Sequence, residues 1–120
     1  MNLESLIGMP YQENGRSPQE GFDCYGLVLY VLKEELGIAP EKSLDHWREY
    51  GDVLEWPTEL RRYDVVLIRD YSEGVNHAGI AVNEFEFMHA TPFCGGVVCE
   101  PISRYAHKKI FIGRVRDPRD

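Results

Sequence analysis

Gly21-Phe22-Asp23-Cys24-Tyr25-Gly26-Leu27-Val28 decides how this chain is read, because it sets a cysteine at the start of the clearest helix. Apolar residues then recur at Leu27, Val28, Val31, Leu32 and Leu36, the spacing of one helical face turned toward a core. Gly37 ends the helix, since it adopts left-handed backbone without steric cost. With Asp23 as N-cap, Cys24 lies in the first turn, beside backbone N–H groups that no intrahelical carbonyl satisfies. Those groups and the positive end of the helix dipole favour thiolate over thiol and can donate to an oxyanion. Cys24 is therefore a candidate nucleophile; the alternative is a buried cysteine acting as a small hydrophobe.

The 120 residues make one domain, 1–120, large enough for a hydrophobic core. Hydrophobic and charged fractions of 43% and 28% are ordinary for a globular protein. A net charge of −7 argues against nucleic acid or an anionic bilayer as the partner, since both would repel the domain. No stretch is long and apolar enough to insert into a membrane. Residues 1–8 lack the basic n-region and apolar core of a signal peptide, so the expectation is a cytoplasmic chain as synthesised. Three cysteines, an odd number, argue against a disulfide framework: free thiols are expected, with a Cys94–Cys99 bond across Gly95-Gly96 as the alternative.

Residues 2–7 read as a short helix, and Gly8, Pro10, Asn14, Gly15, Pro18 and Gly21 as a turn-rich approach to the cysteine. After the helix over 24–36, Ser43 is expected to cap a second short helix through Tyr50, and Asp52 to Arg62 reads as irregular, with an extended bend at Trp56-Pro57. From Asp64 onward the pattern predicts strands: Val65–Arg69, His77–Val82, Glu86–Thr91, Val97–Pro101 and Ile110–Val115. The connections are mostly too short for crossover helices. The expected fold is α+β, N-terminal helices packed on a mostly antiparallel sheet of about five strands.

A hairpin centred on Glu84 pairs Val82 with Glu86, Gly79 with His89 and His77 with Thr91. His77 and His89 then share a face as diagonal neighbours, with Cβ atoms within about 8 Å. A slip of one residue would separate them. A lone strand histidine is ordinarily a surface or satisfied core residue. Two on one face, downstream of a helix-start cysteine, suit nucleophilic catalysis: Cys24 attacks, His77 takes its proton, and His89 orients His77. A neutral imidazole in that third place stabilises imidazolium less than a carboxylate would. His46 and His107 lack this company and are expected in solvent. Zinc is the competing use of Cys94, Cys99, His77 and His89, but no Cys-x-x-Cys or His-x-x-x-His clamp is present, so neither metal nor organic cofactor is expected.

Five stretches, Gly8-Met9-Pro10-Tyr11, Gly21 to Val28, Tyr63-Asp64-Val65-Val66-Leu67, Asn76-His77-Ala78-Gly79-Ile80 and Met88-His89-Ala90, resemble in order and spacing the NlpC family of papain-like cell-wall cysteine peptidases. The resemblance implies a papain-like fold with Cys24 as nucleophile, His77 as general base and His89 as the third residue. It implies substrate-binding roles for Tyr11, near the oxyanion, and Asp23, toward the free amino end of a stem peptide. Each also has a structural reading, Tyr11 as packing under the loop and Asp23 as the helix cap. Asp64 matches a structural position.

Two departures stand out: Tyr25 where the family usually has serine, which would reshape a substrate pocket, and Gln12-Glu13-Asn14-Gly15 in place of a Trp-Gly-Gly run. Gly15-Arg16-Ser17-Pro18 followed by Asp23-Cys24-Tyr25-Gly26 is similar to the phage and prophage tail-associated branch, which implies phage tail proteins as partners and delivery to the wall by a tail. The function implied is an endopeptidase for peptidoglycan stem peptides, at the γ-D-glutamyl-diamino acid bond. The alternatives are a non-catalytic or protein-processing tail component, or an amidase or acyltransferase using the same triad.

Overall fold

Burial of the apolar stripe makes the helix: Leu27, Val28, Val31 and Leu32 are fully buried, a gain of about 1.5–3 kcal/mol for each large side chain. In this computed structural model, which describes residues 2–38, 51–69 and 77–116, the helix α1 spans Cys24–Leu36. Asp23 caps its N-terminus by accepting from the Gly26 N–H, and Gly37 closes it at φ 66°. Before it, Leu3–Leu6 forms a 3-10 turn, and β1 (Arg16–Ser17) and β2 (Gly21–Phe22) pair as a small ribbon. The expected helix over 43–50, and His46 with it, lie outside the described residues.

The main sheet contains β3 (Gly51–Glu55), β4 (Val65–Arg69), β5 (His77–Ala81), β6 (Glu86–Thr91), β7 (Gly96–Pro101) and β8 (Lys109–Val115). Its order is β3-β8-β4-β5-β6-β7, with every pairing antiparallel. The five expected strands are present with ends shifted by at most one residue. The correction is β3, within a stretch read as irregular from Asp52: it pairs along its length with β8 and makes the sheet six-stranded. The Trp56-Pro57 peptide that follows is cis.

The sheet carries a different layer on each face. Val65, Leu67, Ala78, Ile80, Met88, Ala90 and Val97 pack under α1. Val66, Ile68, Ala81, Phe87, Ile110 and Ile112 form a second cluster with Leu60 and Ile102. Buried Asp64 ties the start of β4 to β8, accepting from Arg114 Nη2 and from the Arg61 N–H, each at 2.9 Å. Such a carboxylate is structural, in line with the reading of that position.

Candidate active site

The β5–β6 hairpin has the register that brings the histidines together: Ile80 pairs with Met88 and Ala81 with Phe87, and the Val82 N–H donates to the Glu86 carbonyl. His77 and His89 accordingly project from one face, the face away from α1, and His77 Nε2 lies 2.6 Å from His89 Nδ1. The rings meet edge to face with centroids 4.8 Å apart. His89 is only 2% exposed and stacks on Phe87 at 4.6 Å.

Beyond His89 the hydrogen bonds continue. Glu100 Oε2, on β7, lies 3.2 Å from His89 Nε2 and accepts from the Tyr105 hydroxyl, while Arg104 Nη1 lies 3.4 Å from Glu100 Oε1. Neither Glu100 nor Tyr105 was singled out from the sequence. The available signal was parity: His89 pairs with Val98 across β6–β7, so Glu100, two residues on, shares the His89 face.

Cys24 approaches from the helix side. The main-chain N–H groups of Ala78, next in the chain to His77, and of Tyr25 donate toward its sulfur. These bonds and the helix start do not prevail as expected. Burial pushes the thiol up, Asp23 adds to the rise, and the N–H groups only partly offset it. His77 goes the other way: burial, helped by the neighbouring His89 and Lys108, brings it down to about 4 despite the opposing pull of Glu100. Burial also lowers His89, against the pull of Glu100. At neutral pH the thiol and both imidazoles are thus uncharged.

A cleft of about 260 Å³ opens beside the dyad, lined by Ile68, His77, His89, Thr91, Tyr105 and Lys108, with Phe93 98% exposed at its side. A larger one of about 510 Å³, around Arg61, Asp64 and Arg114, shares no residue with it.

Of the expected substrate contacts, Tyr11 is half-buried near the thiol; burial and then the charges of Asp23 and Cys24 raise its hydroxyl pKa. Asp23 is fully engaged: Oδ1 accepts from the Gly26 N–H and from Arg16 Nη1, both at 2.7 Å, and Oδ2 from the Asn14 N–H at 2.9 Å. Its geometry is that of the cap. Tyr25 is half-buried in the first turn. His107 is exposed, Cys94 and Cys99 are free thiols, and among the described residues no group of three or more His, Cys, Asp or Glu is placed to hold a metal.

The family model for NlpC/P60 proteins matches residues 8–116. This chain belongs to the NlpC/P60 family. It is 38% identical over 89 residues to a γ-DL-glutamyl hydrolase of Bacillus subtilis, covering 73% of this chain and 21% of that protein. Over 92 residues it is 33% identical to the murein DD-endopeptidase MepH of Escherichia coli, covering 73% of this chain and 33% of that one. It thus spans a third or less of the length of these two curated relatives. Among solved structures, the NlpC/p60 domain of the peptidoglycan hydrolase SagA superposes with a TM-score of 0.74 at 23% identity, over 94% of this chain and 92% of that one. NlpC2 of Trichomonas vaginalis gives 0.79 at 23% identity, over 94% and 44%. These likenesses show that the α1-on-sheet arrangement is the NlpC/P60 papain-like fold.

Proposed function

We propose that this NlpC/P60 domain is a cysteine peptidase that hydrolyses peptidoglycan stem peptides, at the bond between γ-D-glutamyl and a diamino acid. The observation that carries the reading is the His77–His89 hydrogen bond at the start of β5, one residue from the Ala78 N–H that donates to the Cys24 sulfur. The bond assignment is supported by the similarity to a γ-DL-glutamyl hydrolase.

His89 occupies Nε2 of His77, which leaves Nδ1 as the base. Since burial raises the thiol and lowers the imidazole, proton transfer from Sγ to Nδ1 accompanies attack on the scissile carbonyl rather than preceding it. The S–C bond forms, the carbonyl π pair moves to oxygen, and N–H groups at the start of α1 stabilise the oxyanion. Collapse expels the amine, which takes the proton from His77. Water then gives a proton to the same imidazole and adds its oxygen to the acyl carbon; the C–S bond breaks, the acid leaves, and the proton returns to Sγ. Tyr11, whose hydroxyl feels the charge of Cys24, and Tyr25, next to Cys24 in the chain, are the candidate contacts for the peptide. The tail-like wording Gly15-Arg16-Ser17-Pro18 supports delivery to the wall within a phage tail.

Incubation with purified peptidoglycan, followed by mass analysis of the fragments, tests this reading. The wild-type chain is expected to expose the amino group of the diamino acid, and Cys24→Ala to fold normally and release nothing. Undiminished cleavage by Cys24→Ala overturns the mechanism, and products cut only at other acyl bonds overturn the bond assignment.

A further inference from the structure

The hydrogen bonds running outward from His77 have only one consistent polarity. An ionised carboxylate accepts and cannot donate. Burial pushes the Glu100 carboxyl up, but the Tyr105 hydroxyl and His89 outweigh it and leave it below its ordinary value, so Glu100 is a carboxylate at neutral pH. The 3.2 Å contact therefore requires His89 Nε2 to carry hydrogen. A neutral His89 then holds its lone pair on Nδ1, and the 2.6 Å contact requires His77 Nε2–H to donate into it. Neutral His77 is left with its lone pair on Nδ1. The reverse polarity would aim a lone pair of His89, 2% exposed, at a carboxylate oxygen 3.2 Å away, too close for a water to bridge the two.

We propose that Glu100, held by the Tyr105 hydroxyl, fixes the tautomers of both imidazoles and thereby keeps the Nδ1 lone pair of His77 available to the Cys24 thiol. Both are positioning residues, since neither touches the thiol, and the assignment rests on the peptidase reading only for its catalytic consequence. Phe87 and Tyr105 support it mechanically: Phe87 stacks on one face of the His89 ring and the Tyr105 ring meets it edge-on at 5.7 Å. Glu100 also supplies the negative charge that a bare His-His pair lacks, and its field favours the imidazolium formed when His77 takes the thiol proton. Among the described residues, the other charged or ionisable groups that act on the relay are Lys108 ahead of β8, Arg104 beside Glu100, and Cys94, which acts on Tyr105; Cys24 reaches it from α1 through the Ala78 N–H, next to His77.

The test has one arm without turnover. In the Cys24→Ala chain, ¹⁵N imidazole spectra at neutral pH are expected to show both histidines as Nε2–H tautomers; adding Glu100→Gln, whose amide tolerates either polarity, is expected to populate Nδ1–H forms. In the second arm, the rate of Cys24 alkylation by iodoacetamide is followed against pH in the otherwise native chain. Glu100→Gln is expected to slow it about tenfold at pH 7 and move the profile to higher pH, Tyr105→Phe to do so less, and Glu100→Asp to recover part of the rate. On peptidoglycan fragments, Glu100→Gln is expected to lower kcat about 10–100-fold with little change in KM. Tautomers unchanged by Glu100→Gln, or an alkylation profile within twofold of wild type, overturn the proposal. Should Glu100→Gln fail to fold, Tyr105→Phe decides by the same readouts. If the tautomers and alkylation shift as expected while Cys24→Ala still cleaves peptidoglycan, the peptidase reading fails and the tautomer assignment stands.

Discussion

His77 Nε2 and His89 Nδ1 stand 2.6 Å apart across neighbouring antiparallel strands, and the pair exists because the β5–β6 hairpin sets Ala81 opposite Phe87. Its consequence for turnover is direct. His89 holds one nitrogen of His77 and so determines which nitrogen is free, and general-base catalysis of this kind contributes about 10²–10⁴-fold.

His89→Ala should therefore lower kcat about 100-fold with KM nearly unchanged, because the ring acts on the base and not on the substrate. The same change removes a fully buried ring from between Phe87 and Tyr105, and should cost about 2–4 kcal/mol of stability. Steady-state kinetics below the unfolding transition, together with urea denaturation, separate the two effects.

Acid should loosen the fold through these histidines. His77 has a pKa of about 4 when folded, against 6.5 as the ordinary value, so between those limits the unfolded chain binds more protons than the folded one. Stability then falls as pH drops through that window, and His89, also lowered, contributes with the same sign. Urea midpoints from pH 7 to pH 4 should decline more steeply for the wild type than for His77→Gln. Parallel slopes for the two proteins would show that His77 is not buried in its neutral form.

Much of the site was legible because hairpin register is a parity statement. Once Val82 faced Glu86, the two histidines had to share a side. The helix was equally plain, since its stripe, its Asp23 cap and its Gly37 stop agree. Strand β3 was not, because Gly51-Asp52-Val53-Leu54-Glu55 offers only two apolar residues and runs into Trp56-Pro57; its pairing with β8 outweighs that weak local preference. Glu100 escaped notice for a different reason. A half-buried glutamate on a strand looks like a solvated residue until the β6–β7 register sets it beside His89. The rise of the thiol pKa is not legible, because the N–H groups of a helix start are visible in sequence, whereas the burial that opposes them is a property of the packed molecule.

Asp23 offers a test between cap and substrate ligand. Asp23→Ala removes the acceptor for the Gly26 and Asn14 N–H groups and the partner of Arg16, and should cost about 1–2 kcal/mol in thermal or urea unfolding. Asp23→Asn retains an oxygen for the Gly26 N–H and should recover most of that loss. If the carboxylate only caps, KM for peptidoglycan fragments should stay within about twofold in the Asn variant; a KM rise near tenfold, equivalent to about 1.4 kcal/mol, would instead identify a ligand for the substrate's amino end.

Gly79 is where the hairpin's geometry can be broken without touching a titrating group. A Cβ built there would lie 2.6 Å from both the Met88 carbonyl oxygen and Phe87 Cδ2, and 3.1 Å from His89 Cβ. The carbonyl belongs to the main chain of β6 and cannot swing aside, so Gly79→Ala must push β5 away from β6, an overpacking cost of about 1–3 kcal/mol. The displacement falls between His77 and His89, whose hydrogen bond has little length to spare at 2.6 Å. Gly79→Ala should consequently lose kcat and Cys24 alkylation rate together at temperatures where circular dichroism still reports a folded chain. Gly95→Ala, in the turn between β6 and β7, has nothing within 4 Å of the new methyl group and should strain only its own backbone at φ 75°, leaving both rates close to wild type. Equal losses in the two variants would mean that the spacing of β5 and β6 does not govern the reactivity of the thiol.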